Sequence, residues 1–151
     1  MAVEIINAPN APAAIGPYSH GTKCGNIIFT SGQCPFYPGT GEVERDVKKA
    51  TALALNNVLS VVEAVGGKKT DIAKVEIFVR DLANFGTINE VYAEFFGGHK
   101  PARYCVQAAA LPTDVELELA ATAFLGAREQ SLLAQLFPHE PPLFFGGCDG
   151  A

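Results

Sequence analysis

The strongest candidate for chemistry in this sequence is Arg103, at the start of a short apolar segment. If that segment is a strand, side chains two apart share a face, so Arg103 projects with Cys105 and Gln107 and away from Tyr104. A guanidinium is a planar fork of donors that stays charged, which suits it to bind a carboxylate. Structural ion pairs are nevertheless commoner than ligand clamps, and spacing alone favours an ion pair.

Two carboxylates alternate along the last apolar segment. The pattern predicts that Glu116 and Glu118 share one face of a strand with Ala120 and Thr122. A carboxylate near a bound electrophile can orient or deprotonate a water molecule. Two glutamates on an outward strand face are more often simply solvated, so the spacing does not define a site.

Other residues could line a ligand site. Ser31 and Gly32 follow a predicted strand, where backbone N–H groups can approach a ligand, although an ordinary turn explains them equally well. Tyr18 could present its hydroxyl or could be a partly buried aromatic residue. No base is placed beside Cys105, and an unactivated thiol is mostly protonated at neutral pH, so we expect it to serve in packing.

These residues need a scaffold, and the hydrophobic periodicity predicts an α+β fold. The predicted elements are a strand over 26–31, a helix from the N-cap Asp46 to Gly66, a strand over 75–79, a helix over 85–96, and strands over 103–109 and 115–124 with a turn at 111–114 between them. We expect one mixed sheet with both helices across one face, the other face being covered by a partner subunit. Residues 1–125 would form the domain and 126–151 an extension of it.

Composition restricts the partners of the protein. The chain of 151 residues is 48% hydrophobic and 18% charged, as expected of a folded domain. A net charge of −5, without a local cluster of lysine and arginine, argues against nucleic-acid binding. The sequence shows neither a signal-peptide pattern nor an apolar run long enough to cross a membrane. We therefore expect a cytoplasmic protein without a membrane partner.

The residues that most often bind metals are too dispersed for a metal site. The cysteines form no C-x-x-C pair, and no two histidines share a helix face. The sequence therefore predicts neither a disulfide framework nor a metal centre. The residues concerned are Cys24, Cys34, Cys105, Cys148, His20, His99 and His139.

Several separated motifs, taken together, resemble the RidA (YjgF) family of reactive-intermediate deaminases. In chain order they are Asn10-Ala11-Pro12-Ala13-Ala14-Ile15-Gly16-Pro17-Tyr18-Ser19, Thr30-Ser31-Gly32-Gln33, Asn89 and Tyr92, Pro101-Ala102-Arg103, Leu111-Pro112, and Val115-Glu116-Leu117-Glu118-Leu119. The similarity extends to about Phe124 and is far more specific than any single pattern.

The resemblance implies a chorismate mutase-like subunit that assembles as a homotrimer, with a substrate cleft at each subunit interface. By family pattern, Arg103 is the carboxylate anchor and Glu118 orients the attacking water. Arg103 should then lie at an interface, free of any carboxylate of its own chain. The remaining lining and polar contacts would come from Tyr18, Ser31, Gly32 and the backbone carbonyl of Cys105.

The implied activity is hydrolysis of 2-aminoacrylate and 2-aminocrotonate, through their imines, to 2-oxo acids and ammonia. An imine carbon is already electrophilic, so an anchored substrate and one positioned water suffice without a metal or organic cofactor. The alternative is a non-catalytic member that binds small carboxylates or acts as a translation inhibitor or chaperone. RNA cleavage is least favoured because the chain is acidic.

Three features depart from the family pattern. His20 stands where the family usually has glutamine, and Ala120 replaces a frequent second glutamate. Residues 126–151 continue past the usual end. None of these departures removes Arg103 or Glu118.

Overall fold

The computed structural model describes residues 2–126, so all but the first residue of the predicted extension over 126–151 lies outside the described residues. Six strands and two α-helices form one layer of sheet and one layer of helix. The elements are β1 (Glu4–Ile6), β2 (Gly21–Cys24), β3 (Ile27–Thr30), α1 (Val47–Ala64), β4 (Ile72–Val79), α2 (Phe85–Phe96), β5 (Ala102–Gln107) and β6 (Leu117–Phe124).

The strands form one sheet in the order β1-β2-β3-β6-β4-β5. Neighbouring strands are antiparallel except β4 and β5, which are parallel and are joined through α2. The predicted mixed sheet with two helices is therefore confirmed for the described residues. Strand β6 lies at its centre, which brings Glu118 close to loops from distant parts of the chain.

The sequence predicts no strand before residue 26, which is wrong, since β1 and β2 precede it. Strand β1 has three residues and β2 has four, and the β2 sequence Gly-Thr-Lys-Cys has no apolar alternation. These strands form because they pair in succession onto β3, a long-range contact that local periodicity does not report. Strand β4 also begins earlier than predicted, at Ile72.

Helix α1 begins and ends where the sequence predicts. The Asp46 carboxylate accepts a hydrogen bond from the backbone N–H of Lys49 at 3.0 Å, which caps the first turn. At the other end, Gly66 adopts a φ of 84°, a left-handed conformation that glycine accepts without steric cost. The helix buries one face against the sheet.

The two faces of the sheet differ in what packs against them. In β4, Val75, Ile77 and Val79 are buried beneath the helices, whereas Glu76 and Phe78 alternate with them on the other face. Strand pairing places large exposed apolar side chains on that second face, which we call the open face: Ile5, Phe29, Tyr104, Val106 and Phe124. Residues 2–126 therefore present an apolar sheet face on which none of their own helices packs.

Candidate active site

Glu118 lies against the backbone of the loop that follows β3. Backbone hydrogen bonds in both directions join Gln33 and Leu119, at 2.8 and 3.1 Å, and hold this loop beside β6. As a result Gly32 lies directly under the Glu118 side chain. A Cβ atom at position 32 would lie 2.0 Å from Oε1 of Glu118, so only glycine allows this approach.

The Glu118 side chain lines an open cavity of about 350 Å³. The wall opposite the sheet is the segment from Pro12 to Ile15, and Pro112 forms part of the rim. Four of the six site residues predicted from the sequence meet in this cavity: Tyr18, Ser31, Gly32 and Glu118.

Burial changes the proton affinity of two groups in this cavity. Desolvation raises the pKa of Glu118 above its ordinary value, and no ion pair within residues 2–126 involves this carboxylate. Desolvation, and then the nearby charge of Glu118, raise the pKa of the Cys34 thiol to about 12. Cys34 is therefore a protonated wall residue, while Glu118 can take up or release a proton closer to neutral pH than an ordinary glutamate.

His20 fixes the segment that forms the cavity wall. Its Nδ1 accepts a hydrogen bond from the backbone N–H of Ala8 at 3.0 Å. Nε2 must therefore carry the ring proton of the neutral imidazole, and it donates to the carbonyl of Pro12 at 2.8 Å. Both ring nitrogens are used in tying the loop to β2. The departure from the family pattern at this position thus has a structural role.

The hydroxyl groups of the cavity are also engaged within the chain. Ser31 Oγ donates to the carbonyl of Ser19 at 2.6 Å, and the Ser31 N–H donates to the carbonyl of His20. The Tyr18 hydroxyl accepts from the N–H of Ile15 at 3.2 Å. These bonds shape the wall, and the Tyr18 hydroxyl keeps its own proton available for donation beside the Glu118 carboxylate.

The predicted turn at 111–114 forms the rim beyond Pro112. Thr113 and Asp114 both have positive φ values, 52° and 56°, which are strained for residues other than glycine. The Arg45 guanidinium donates to both of their carbonyl oxygens, at 3.2 and 2.7 Å, and Arg80 pairs with Asp114 at 3.2 Å. Two arginines therefore hold the strained rim in place.

Arg103 lies on the helix side of the sheet, beside a second cavity of about 380 Å³. Its Nη1 donates to Oδ1 of Asn89 on α2 at 2.8 Å. The guanidinium carbon lies 4.8 Å from the centre of the Tyr92 ring and 5.5 Å from that of Phe85. Within residues 2–126 no carboxylate forms an ion pair with Arg103.

Arg103 and Glu118 project from opposite faces of the sheet. Strand β4 aligns Val75 with Arg103 and Phe78 with Glu118. Val75 lies under the helices and Phe78 lies on the open face, so the two site residues point away from each other. Cys105 shares the face of Arg103, and burial raises the pKa of its thiol, in agreement with the expected packing role. One chain alone does not bring the six predicted residues into one cavity.

Cys34 and His20 both line the Glu118 cavity, although their sequence context predicts no functional role for either. Neither residue carries a local signal, because each reaches the cavity through pairing between distant segments. Asn89, which belongs to the motifs of the family resemblance, lies between Phe85 and Tyr92 on one face of α2. Within residues 2–126 no group of three potential metal ligands occurs, and no helix is both long and apolar enough for a membrane span.

Comparison with known proteins identifies the family. The family model described as Endoribonuclease L-PSP matches residues 8–125. The 2-iminobutanoate/2-iminopropanoate deaminase of Escherichia coli K12 is 50% identical over 123 residues, which are 80% of this chain and 96% of that protein. The chain therefore belongs to the Endoribonuclease L-PSP family, and the resemblance to RidA (YjgF) proteins is confirmed.

Solved structures agree with this assignment. A crystal structure of E. coli TdcF with bound serine is 48% identical and superposes with a TM-score of 0.78, covering 80% of this chain and 98% of that one. The structure of the E. coli YjgF gene product gives the same identity and TM-score, with 81% and 98% covered. Because the E. coli relative with 50% identity is a deaminase, the comparisons support an enzyme role for this chain.

Proposed function

We propose that this protein hydrolyses the imines derived from 2-aminoacrylate and 2-aminocrotonate to 2-oxo acids and ammonia. The observation that carries the proposal is the presence of two complementary, unpaired groups. The Arg103 fork has no carboxylate partner within residues 2–126, and the Glu118 carboxylate lines an open cavity with a raised pKa. Arg103 can bind a substrate carboxylate, and Glu118 can accept a proton from water and donate it to the leaving ammonia.

The proposed active site combines these groups from two copies of the chain. Because Arg103 and Glu118 project from opposite faces of one sheet, a neighbouring copy must supply the second group. The apolar open face, with Phe29 and Val106 exposed, is a suitable surface for such an assembly. A closed ring of three copies would repeat the same interface and generate identical sites, as the family resemblance implies.

The reaction needs few groups. Water adds to the imine carbon while Glu118 accepts a proton from it, which forms a carbon–oxygen bond. The proton then passes from Glu118 to nitrogen, which gives an aminoalcohol. The hydroxyl proton of this intermediate moves through Glu118 to nitrogen as the carbon–nitrogen bond breaks, and ammonia leaves a 2-oxo acid. Arg103 holds the substrate carboxylate throughout, and orientation of this kind can supply much of the rate enhancement. The backbone carbonyl of Cys105 would be a further contact to the substrate.

A coupled assay tests the proposal. A threonine dehydratase releases 2-aminocrotonate, and added wild-type protein should accelerate formation of 2-oxobutyrate. Arg103→Ala removes a charge-assisted clamp and should lower kcat/KM by on the order of a hundredfold or more. Equal acceleration by the Arg103→Ala variant, or none by wild type, would refute the proposal.

A second candidate function is binding of small carboxylates without turnover. It is favoured by the serine found in the TdcF crystal structure, since serine carries a carboxylate. In that case a 2-oxo acid should raise the melting temperature of the protein while the coupled assay shows no acceleration.

A further inference from the structure

Every group that contacts the Arg103 guanidinium in the described chain is uncharged. The hydrogen-bond acceptor is the amide oxygen of Asn89, and the two rings beside it belong to Phe85 and Tyr92. These three residues occupy positions i, i+4 and i+7 of α2 and so form one stripe along the helix. The guanidinium is thus held on three sides without an opposite charge.

The two acidic groups whose pKa Arg103 influences, Tyr92 and Cys105, also stay neutral. Burial raises the pKa of the Tyr92 phenol, and the positive charge of Arg103 opposes this rise only in part. Burial likewise raises the pKa of the Cys105 thiol. Neither group therefore ionises near neutral pH to compensate the guanidinium.

An amide and a carboxylate at position 89 would hold Arg103 equally well but would differ in charge. Aspartate has nearly the shape of asparagine and would form an ion pair at the same 2.8 Å distance. That ion pair would use the charge and part of the donor fork that a ligand needs. The asparagine amide oxygen instead engages one N–H and leaves the net positive charge and the remaining donors available.

We propose that Asn89 is a positioning residue that orients Arg103 without neutralising it, and that this neutrality sets the affinity of the site for carboxylate ligands. The inference deepens the proposed function and rests on Arg103 as the carboxylate anchor. It predicts that a negative charge at position 89 is worse for the ligand than no side chain there at all.

The test compares Asn89→Asp, Asn89→Ala and wild type for binding of 2-oxobutyrate by calorimetry, together with KM and kcat in the coupled assay. Asn89→Asp should raise the dissociation constant by on the order of tenfold to a hundredfold, and Asn89→Ala by roughly severalfold. KM should rise far more than kcat falls in the Asp variant. Asn56→Asp, on the exposed side of α1, makes the same charge change elsewhere and should match wild type.

Melting temperatures separate this role from a structural one. The new ion pair with Arg103 should leave Asn89→Asp as stable as wild type or more so, while its affinity falls. A merely structural asparagine cannot make stability and affinity move in opposite directions. Wild-type affinity in Asn89→Asp, weaker binding by Asn89→Ala than by Asn89→Asp, or no binding of 2-oxobutyrate by wild type would overturn the inference.

The outcomes also distinguish this inference from the proposed activity. If wild type binds 2-oxobutyrate with the expected order among the variants but does not accelerate deamination, the proposed activity fails and the role of Asn89 stands. If wild type accelerates deamination and Asn89→Asp behaves like it, the activity stands and the role of Asn89 fails.

Discussion

Glu118 rests on Gly32, with no room for a single additional carbon between the carboxylate and the backbone. The contact fixes the carboxylate against a loop that is itself hydrogen-bonded to β6 in both directions through Gln33 and Leu119. The lack of a side chain at position 32 is thus part of the site, because it determines where the Glu118 carboxylate can lie.

Gly32→Ala should lower catalytic activity to a greater extent than it lowers the free energy of unfolding. The added methyl group would lie 2.0 Å from Oε1, and the flexible Glu118 side chain would swing away, at the expense of its orientation. We expect kcat/KM in the coupled assay to fall by on the order of tenfold to a hundredfold. Gly86→Ala is the matched control, because a Cβ there meets no atom within 4 Å and should stabilise α2 by about 0.5–1 kcal/mol. Full activity in Gly32→Ala would contradict this account.

The raised pKa of Glu118 predicts the acid side of the pH–rate profile. The carboxylate form accepts the proton, so activity should fall as pH drops through a pKa that lies above that of an ordinary glutamate. Glu118→Gln should lower kcat/KM, and its residual activity should lack this limb of the profile. A limb at the ordinary glutamate pKa would argue against desolvation of the group.

The raised pKa of Glu118 also makes the free energy of unfolding depend on pH, and this dependence is opposite to that of the activity. Because the folded state disfavours ionised Glu118, the penalty is present in full above the raised pKa and disappears as pH falls towards the ordinary glutamate value. Glu118→Gln should therefore be more stable than wild type at neutral pH and equal to it in acid. Urea denaturation at several pH values measures the difference, and equal stability at all pH values would contradict the prediction.

His20 should tolerate glutamine but not alanine. A glutamine side chain offers one acceptor and one donor and can replace the bonds to Ala8 and Pro12, whereas alanine leaves both backbone groups without their partner. We expect His20→Ala to lower the free energy of unfolding by about 1–3 kcal/mol and His20→Gln to stay close to wild type. Chemical denaturation of both variants checks this, and equal losses would show that ring packing matters more than the hydrogen bonds.

A charge on the open face should break the assembly. Phe29 and Leu82 are exposed to similar extents, 48% and 44%, but only Phe29 belongs to the open face. Phe29→Glu should convert the proposed oligomer to smaller species in sedimentation analysis and abolish turnover, because an apolar contact of the proposed interface becomes a desolvated charge. Leu82→Glu should retain the wild-type mass. An unchanged mass for Phe29→Glu would place the interface elsewhere.

The sequence predicted those elements that carry a strong local pattern. The period-2 alternation at Val75, Ile77 and Val79 and the capped, apolar stripe after Asp46 identified β4 and α1 correctly. Strands β1 and β2 were missed because their short sequences bury little and take their conformation from pairing with β3. A local sequence pattern indicates which face of an element is buried, but it does not indicate which other element pairs with it.

The sequence named individual candidate site residues, but it did not predict how they are arranged in space. The pattern within each strand gave the correct alternation around Arg103 and around Glu118. That these two side chains face opposite ways depends on the register of both strands against β4, which no local pattern encodes. The contributions of His20 and Cys34 were missed for the same reason.

The opposite orientation of Arg103 and Glu118 has a genetic consequence. In the proposed assembly each site takes its arginine from one copy and its glutamate from the next, so two different inactive chains can repair one another. Mixing equal amounts of Arg103→Ala and Glu118→Gln chains, with subunit exchange, should restore about one quarter of the wild-type sites. Such intersubunit complementation means that an allele damaged at one of these positions can regain activity from an allele damaged at the other.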